Sequence, residues 1–325
     1  PDPVLQAKAD AAVATFASLL GHPLRFPVRV FRTSQNIQAW ADAWPLNASD
    51  AWGDGPIAYC RVRVAPSGLA QTSIVDFIVA HEVFHCFQFD LLPAWADRPE
   101  WLLEGLADWA AMRVTPFVPA AGASLQKYYA TPEAALTART YTASGFWGRA
   151  EEVGGAGSLW PRVNAILNAP SNDASFDAAG GTTTALLGAW PSAMVRNAAL
   201  GAPWNQQLAY AIGAPATPLV TVWGNVVLHP EAYVAKPYRL VGNPARPLVH
   251  VVAAAATTLR GADDDTDLGV FGDGWFCTSG GCTCPDGQSG SPPSSTDVAG
   301  ALLLGVTGGR AAGSVDVSYH ALSEF

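Results

Sequence analysis

His81-Glu82-Val83-Phe84-His85 constrains this chain more than any other stretch. Residues four apart on an α-helix lie about 40° apart around its axis, so both imidazoles face one way. Such a pair supplies two corners of a tetrahedral zinc site, and Glu82, beside the first His, is placed to act as general base on a metal-activated water. The flanking residues argue for a helix in the core. Ser73-Ile74-Val75-Asp76 reads as a capping box that starts the helix with Ser73 at its N-cap. From Ile74 to Phe89 apolar residues occupy nearly every side. An ordinary buried helix is the competing reading, but it leaves two imidazoles and a carboxylate in apolar surroundings, and a metal partners all three.

A second acidic motif makes chemical sense of the first: Glu100-Trp101-Leu102-Leu103-Glu104-Gly105-Leu106-Ala107-Asp108-Trp109. Pro99 suits the first helical position, and Glu100 suits the positive end of the helix dipole. Glu104 and Asp108 are four apart and share a face. Glu104 can therefore be the third zinc ligand, with the fourth position left open for water as a catalytic site requires. Asp108 can accept the other ring N–H of a ligand His, which fixes the tautomer and the ring orientation. The rival is a solvated acidic stripe, but Trp101, Leu102, Leu103, Leu106 and Trp109 surround these carboxylates.

His81-Glu82-x-x-His85 followed by Glu104 and Asp108 resembles the gluzincin zinc peptidases, the group that includes thermolysin and the aminopeptidase-N-like enzymes. Glu104 lies 19 positions after His85, close to the spacing of that family. The likeness covers residues 72–111. It implies His81, His85 and Glu104 as ligands, Glu82 as base and Asp108 as the outer partner of the first His. A metzincin would need a third His six residues beyond His85, where this chain has Leu91. The Gly-Ala-Met-Glu-Asn motif of the aminopeptidases is absent, so the resemblance favours an endopeptidase over an exopeptidase. Gluzincins stabilise the oxyanion with a Tyr or His. Tyr141-Thr142-Ala143-Ser144-Gly145-Phe146-Trp147 is similar to the helix start that carries this Tyr, with one residue more before the Gly. Tyr128 and Tyr129 compete for the role, and a Tyr that merely packs a helix is the other reading.

A chain of 325 residues exceeds one average core. Half its residues are hydrophobic and 14% are charged, the composition of a globular protein. A net charge of −9 argues against nucleic acid, whose phosphates need Lys and Arg. No run of 18 apolar residues occurs, so no transmembrane segment is expected. No signal peptide is visible, and the start at Pro1-Asp2-Pro3, without Met, fits a processed or truncated chain; a secreted protein whose signal peptide has been removed is expected. The five Cys point to an oxidising compartment. Cys277, Cys282 and Cys284 share a Gly/Ser/Thr-rich loop where a disulfide is expected. Cys60 and Cys86 either form a bridge from a strand to the active-site helix or are two small buried hydrophobes.

The fold expected is α+β: a two-lobed zincin-like catalytic region followed by a C-terminal β-sandwich. Residues 1–115 form the first lobe, with a helix over residues 3–20 ending at Gly21, strands at Phe26–Arg32 and Ile57–Val64, and both motif helices. Residues 116–215 are Ala-rich and read as a helical lobe completing the cleft. Residues 216–325 carry strand-like runs at 220–228, 247–258, 267–271, 301–306 and 314–320 between Gly/Pro/Asp turns, with a Gly/Ser/Pro-rich loop over 285–298. Asp263, Asp265 and Asp267 offer alternate carboxylates to Ca2+, although a solvated acidic turn explains them too. The function expected is zinc-dependent hydrolysis of a peptide or protein substrate by a secreted endopeptidase. The alternatives are an exopeptidase on the same site and a binding or adhesion protein with a structural zinc. Oligomeric state is open.

Overall fold

The computed structural model describes residues 1–34, 37, 39–52, 56–92, 97–116, 123–183, 186–187, 190, 220–223, 225–229, 231–241, 248–253, 258–263, 276–278, 281–283, 302–307, 309–312 and 315–320. The fold is mixed α+β. The chain forms two compact units. The first includes Pro1–Leu125 and Arg139–Ala179, and the second includes Gln126–Ala138 and the strands from Val220 onward. The helices between Ser144 and Ala178 thus pack with the N-terminal residues rather than forming a body of their own. No helix among the described residues is long and apolar enough to cross a membrane.

The first unit begins with α1 (Pro3–Leu20). Asp2 caps it, accepting from the Val4 and Leu5 amides at 3.0 Å each, and Pro3 opens it with an N that no helix bond needs. Gly21 ends it at φ 61°, a left-handed conformation that glycine adopts without a Cβ penalty. Leu5, Ala9, Ala12 and Phe16 form its buried stripe, and Phe16 meets Phe84 edge-on at 5.2 Å.

Three strands follow: β1 (Val28–Arg32), β2 (Ala41–Leu46) and β3 (Tyr59–Val64). They form one sheet in the order β1-β3-β2, with β1 parallel and β2 antiparallel to β3. The sequence reading anticipated β1 and β3 but not β2. Its residues, Ala-Asp-Ala-Trp-Pro-Leu, do not alternate cleanly, and Pro45 argues against a central strand; as an edge strand β2 tolerates it.

The short α2 (Pro66–Leu69) leads into α3 (Val75–Leu91), which carries both His. α3 is buried on nearly all sides, as its composition predicts. Its start differs from the expected capping box. The N-cap is Ile74 without a side-chain cap bond, and the Asp76 carboxylate instead pairs with Lys8 of α1. A Cys60–Cys86 disulfide joins β3 to α3 across a Cα separation of 5.8 Å.

Next comes α4 (Glu100–Val114), with Pro99 as its N-cap. The unit is completed by a 3-10 turn at Tyr141–Ala143, α6 (Ser144–Gly154), α7 (Val163–Asn168) and α8 (Asn172–Ala178); α5 (Ala123–Ala130) precedes them in the chain. Indole N–H groups knit α4 to these helices. Trp101 stacks on Trp147 at 5.1 Å and donates to Asn172, Trp147 donates to the Trp101 carbonyl, and Trp109 donates to the buried Glu151.

The second unit holds β4 (Val220–Trp223), β5 (Val226–Leu228), β6 (Ala235–Val241), β7 (Leu248–Ala253), β8 (Thr258–Asp263), β9 (Phe276–Thr278), β10 (Gly281–Thr283), β11 (Leu302–Thr307) and β12 (Val315–His320). They make a four-stranded sheet β4-β6-β11-β8, a three-stranded sheet β5-β12-β7 and a β9–β10 hairpin. The expected run 220–228 is divided between two sheets. β6 was not anticipated because Pro237 interrupts its pattern. The expected strand at 267–271 and the loop over 285–298 lie outside the described residues. So do Asp265 and Asp267, while Asp263 closes β8.

Candidate metal centre

His81 and His85 sit one turn apart on α3, and Glu104 reaches them from α4. Three atoms converge. His81 Nε2 is 3.1 Å from His85 Nε2 and 3.1 Å from Glu104 Oε2, and His85 Nε2 is 3.4 Å from that same oxygen. These residues form the one group of potential metal ligands found among the described residues. The triangle can be tested against a metal. Zinc bonds of about 2.0–2.1 Å in tetrahedral geometry separate neighbouring ligand atoms by about 3.3 Å, the size of the triangle. The donor set of two imidazoles and one carboxylate suits the same ion.

The surroundings of the triangle are those of an oriented site. Behind His81, Asp108 Oδ1 lies 3.3 Å from Nδ1, and the other Asp108 oxygen is buried without a hydrogen-bond partner among the described residues. Behind His85, Gln88 Oε1 lies 2.7 Å from Nδ1, and Gln88 Nε2 donates to the Leu103 carbonyl at 2.9 Å. Along α3 the rings continue, with Phe77 at 6.3 Å from His81 and Phe89 stacked at 6.3 Å from His85.

Burial and charge set the protonation of these groups. Burial alone pushes His81 down, but the carboxylates of Asp108 and Glu104 outweigh it and hold His81 well above the ordinary imidazole value. His85 is likewise raised, its burial overcome by Glu104. Burial opposes ionisation of Glu104, yet both imidazoles hold its carboxyl far below the usual range. The Glu104 carboxylate and the two imidazoles thus favour each other's charged forms, while the imidazoles oppose one another. Glu82 differs: burial dominates and raises it, and the nearby His rings only partly offset this.

Tyr141 opens the 3-10 turn before α6. Its ring lies 5.6 Å from that of His81, its hydroxyl lies within the field of the Glu104 carboxylate, and the residue keeps 44% of its surface exposed. Burial and the carboxylates of Glu104, Glu82 and Asp108 raise its phenol above the ordinary value, so it stays a donor. Gly105 makes this approach feasible, since a Cβ there would come within 2.6 Å of the Ala143 Cβ. The competing Tyr128 and Tyr129 are buried in the second unit, where Trp190 donates to the Tyr128 hydroxyl.

All six residues singled out from the sequence thus have a place here. His81, His85 and Glu104 meet one another, Asp108 and Tyr141 each lie against His81, and the Glu82 carboxylate interacts electrostatically with His81, His85 and Glu104. Sequence reasoning missed Gln88. The available signal was a polar side chain three residues after His85 in a largely apolar helix. Comparison with protein families, curated proteins and solved structures finds no match to this chain, so its geometry carries the functional argument.

Proposed function

We propose that the chain is a zinc-dependent peptidase of gluzincin type, acting on peptide or protein substrates as a secreted endopeptidase. The observation that carries this reading is the triangle of His81 Nε2, His85 Nε2 and Glu104 Oε2, with edges of 3.1, 3.1 and 3.4 Å, backed by Asp108 on His81. His81, His85 and Glu104 would hold the ion. Zinc bound there supplies a Lewis acid that acidifies water and polarises a carbonyl.

The chain's own groups supply the rest. Glu82 is buried with a raised pKa, which makes it a stronger proton acceptor than a surface carboxylate; it takes the proton of the attacking water and passes it to the leaving amine. Tyr141 keeps its proton and has an exposed edge, so its hydroxyl can donate to the oxyanion that develops on the substrate. Asp108 Oδ1, 3.3 Å from His81 Nδ1, would hold that ring with Nδ1 protonated and Nε2 turned inward.

In this reading β1–β3 with α3 form the sheet-and-helix half of a zincin, and α6–α8 belong to the half that completes it. The four-stranded and three-stranded sheets of the second unit would supply the two layers of the expected β-sandwich. A disulfide at the active-site helix fits an oxidising, extracytoplasmic compartment. Calcium at Asp263, Asp265 and Asp267 has no support from the described residues.

The test uses two variants. Glu82→Gln should retain stoichiometric zinc and the fold but lose nearly all hydrolysis of an unstructured peptide. His85→Ala should lose the zinc. Wild-type turnover in the first variant, or full zinc content in the second, refutes the proposal.

A further inference from the structure

Gln88 is fully buried on α3 and has no place in the reaction described so far. Its side chain spans two groups: Nε2 to the Leu103 carbonyl at 2.9 Å, and Oε1 to His85 Nδ1 at 2.7 Å. One end fixes the other. A backbone carbonyl can only accept, so the amide –NH2 must face Leu103. The amide oxygen must then face His85, and an amide oxygen also only accepts. Nδ1 of His85 therefore carries the hydrogen. Neutral His85 is left with a bare Nε2, the atom that faces His81 and Glu104.

We infer that Gln88 is a positioning residue that sets the tautomer and ring angle of His85 through a relay anchored on the backbone of α4. The anchor is informative. Leu103 immediately precedes Glu104, so one side chain ties the second His of α3 to the residue beside the third member of the triangle. The two imidazoles are supported unequally. A carboxylate stands behind His81 and a neutral amide behind His85, so the relay orients His85 without adding another negative charge to a site that already holds Glu82, Glu104 and Asp108. The effect on metal affinity rests on the zinc reading proposed above. The effect on the tautomer does not.

The experiment compares full-length wild type with Gln88→Met and Gln88→Glu. Met is close in size and removes both polar ends. Glu restores an acceptor for His85 Nδ1 but gives up the amide donor to Leu103. Zinc affinity is measured by chelator competition, and the Co2+-substituted proteins are compared by visible absorption. Gln88→Met should weaken zinc about 10–100-fold and alter the Co2+ bands, whereas Gln88→Glu, which keeps the acceptor for Nδ1 but not the anchor, should lose clearly less. In the metal-free proteins, at a pH where the ring is neutral, 15N spectra of labelled histidine should show His85 with its hydrogen on Nδ1 in wild type. That preference should be lost in Gln88→Met and kept in Gln88→Glu.

An unchanged tautomer in Gln88→Met overturns the inference whatever the metal does. Equal loss of affinity in both variants also overturns it, because Gln88 would then act only as a brace between helices. A wild type that binds no zinc yet shows the expected tautomers refutes the zinc reading and leaves the relay standing.

Discussion

Gly105→Ala tests whether the approach of Tyr141 to the metal centre matters. The Cβ added at this position would lie 2.6 Å from the Ala143 Cβ, 3.0 Å from Trp147 Nε1 and 3.3 Å from the Thr140 carbonyl. Carbon atoms in contact rest about 3.6 Å apart, so about 1 Å must be made up. Trp147 cannot yield easily, being stacked on Trp101 and bonded to its carbonyl. The turn Tyr141–Ala143 is the part that moves, and Tyr141 moves with it. Overpacking of this kind costs about 1–3 kcal/mol, offset by about 1 kcal/mol because Ala is the better helix former. The net loss of stability should be about 0–2 kcal/mol. A displacement of about 1 Å at a reacting centre can cost on the order of 100-fold in rate. Zinc content, thermal unfolding and peptide hydrolysis should be measured on one preparation. The expected result is full zinc, a melting point lowered by a few degrees and turnover reduced about 100-fold. Turnover at the wild-type level refutes the reasoning about Tyr141. Loss of zinc with intact specific activity per bound ion places the strain on α4 and Glu104 instead.

Asp108→Ala should weaken zinc binding about 10–100-fold without unfolding the chain, as read by chelator competition and circular dichroism. The raised His81 and His85 contribute stability to the metal-free protein that is fully present below the unfolded value of 6.5 and is lost as pH rises through their higher folded values. Zinc requires both rings deprotonated, so the stabilisation it gives should grow over the same range. Melting curves with and without chelator between about pH 6 and 9 should therefore diverge as pH rises; parallel curves contradict the linkage. Replacing Cys60 and Cys86 by Ala should cost up to about 3.5 kcal/mol, from the entropy of closing a loop of 26 residues, measured by denaturant unfolding. A loss under about 1 kcal/mol would mean that packing of β3 on α3 already restrains the unfolded chain.

The candidate site, two His, Glu104 and Asp108 brought together, was legible in the sequence because most of its spacing is local. His81, Glu82 and His85 follow from one helical period, and Glu104 with Asp108 follow from another. That the two helices meet is a tertiary fact, and spacing could only make it an expectation. Gln88 was invisible for that reason: its meaning lies in the Leu103 carbonyl of another helix. The strands β2 and β6 were hidden by Pro45 and Pro237, since a proline argues against a strand until its edge or irregular setting is known. The start of α3 was misread because Asp76 was assigned to its own helix end, whereas a cation from α1 holds it. The extent of α1 was legible because its helical period and the stop at Gly21 are both local signals.

Pro45 also bears on how this protein behaves in concentrated solution. β2 is the rim of its sheet, bonded on one side to β3. The Ala65 amide donates to the Trp40 carbonyl, which fixes the alternation along the strand: residues 40, 42, 44 and 46 turn their backbone groups to β3, and Ala41, Ala43 and Pro45 turn theirs outward. The Cys60 amide, opposite Pro45, accordingly bonds the Pro27 carbonyl on the far side. A fully furnished rim would offer three outward donors to any stray extended chain. Here the third is missing, because proline has no N–H. With Ala41 and Pro45 buried as well, the rim offers a stray strand little to pair with among the described residues, which limits rim-to-rim association into aggregates.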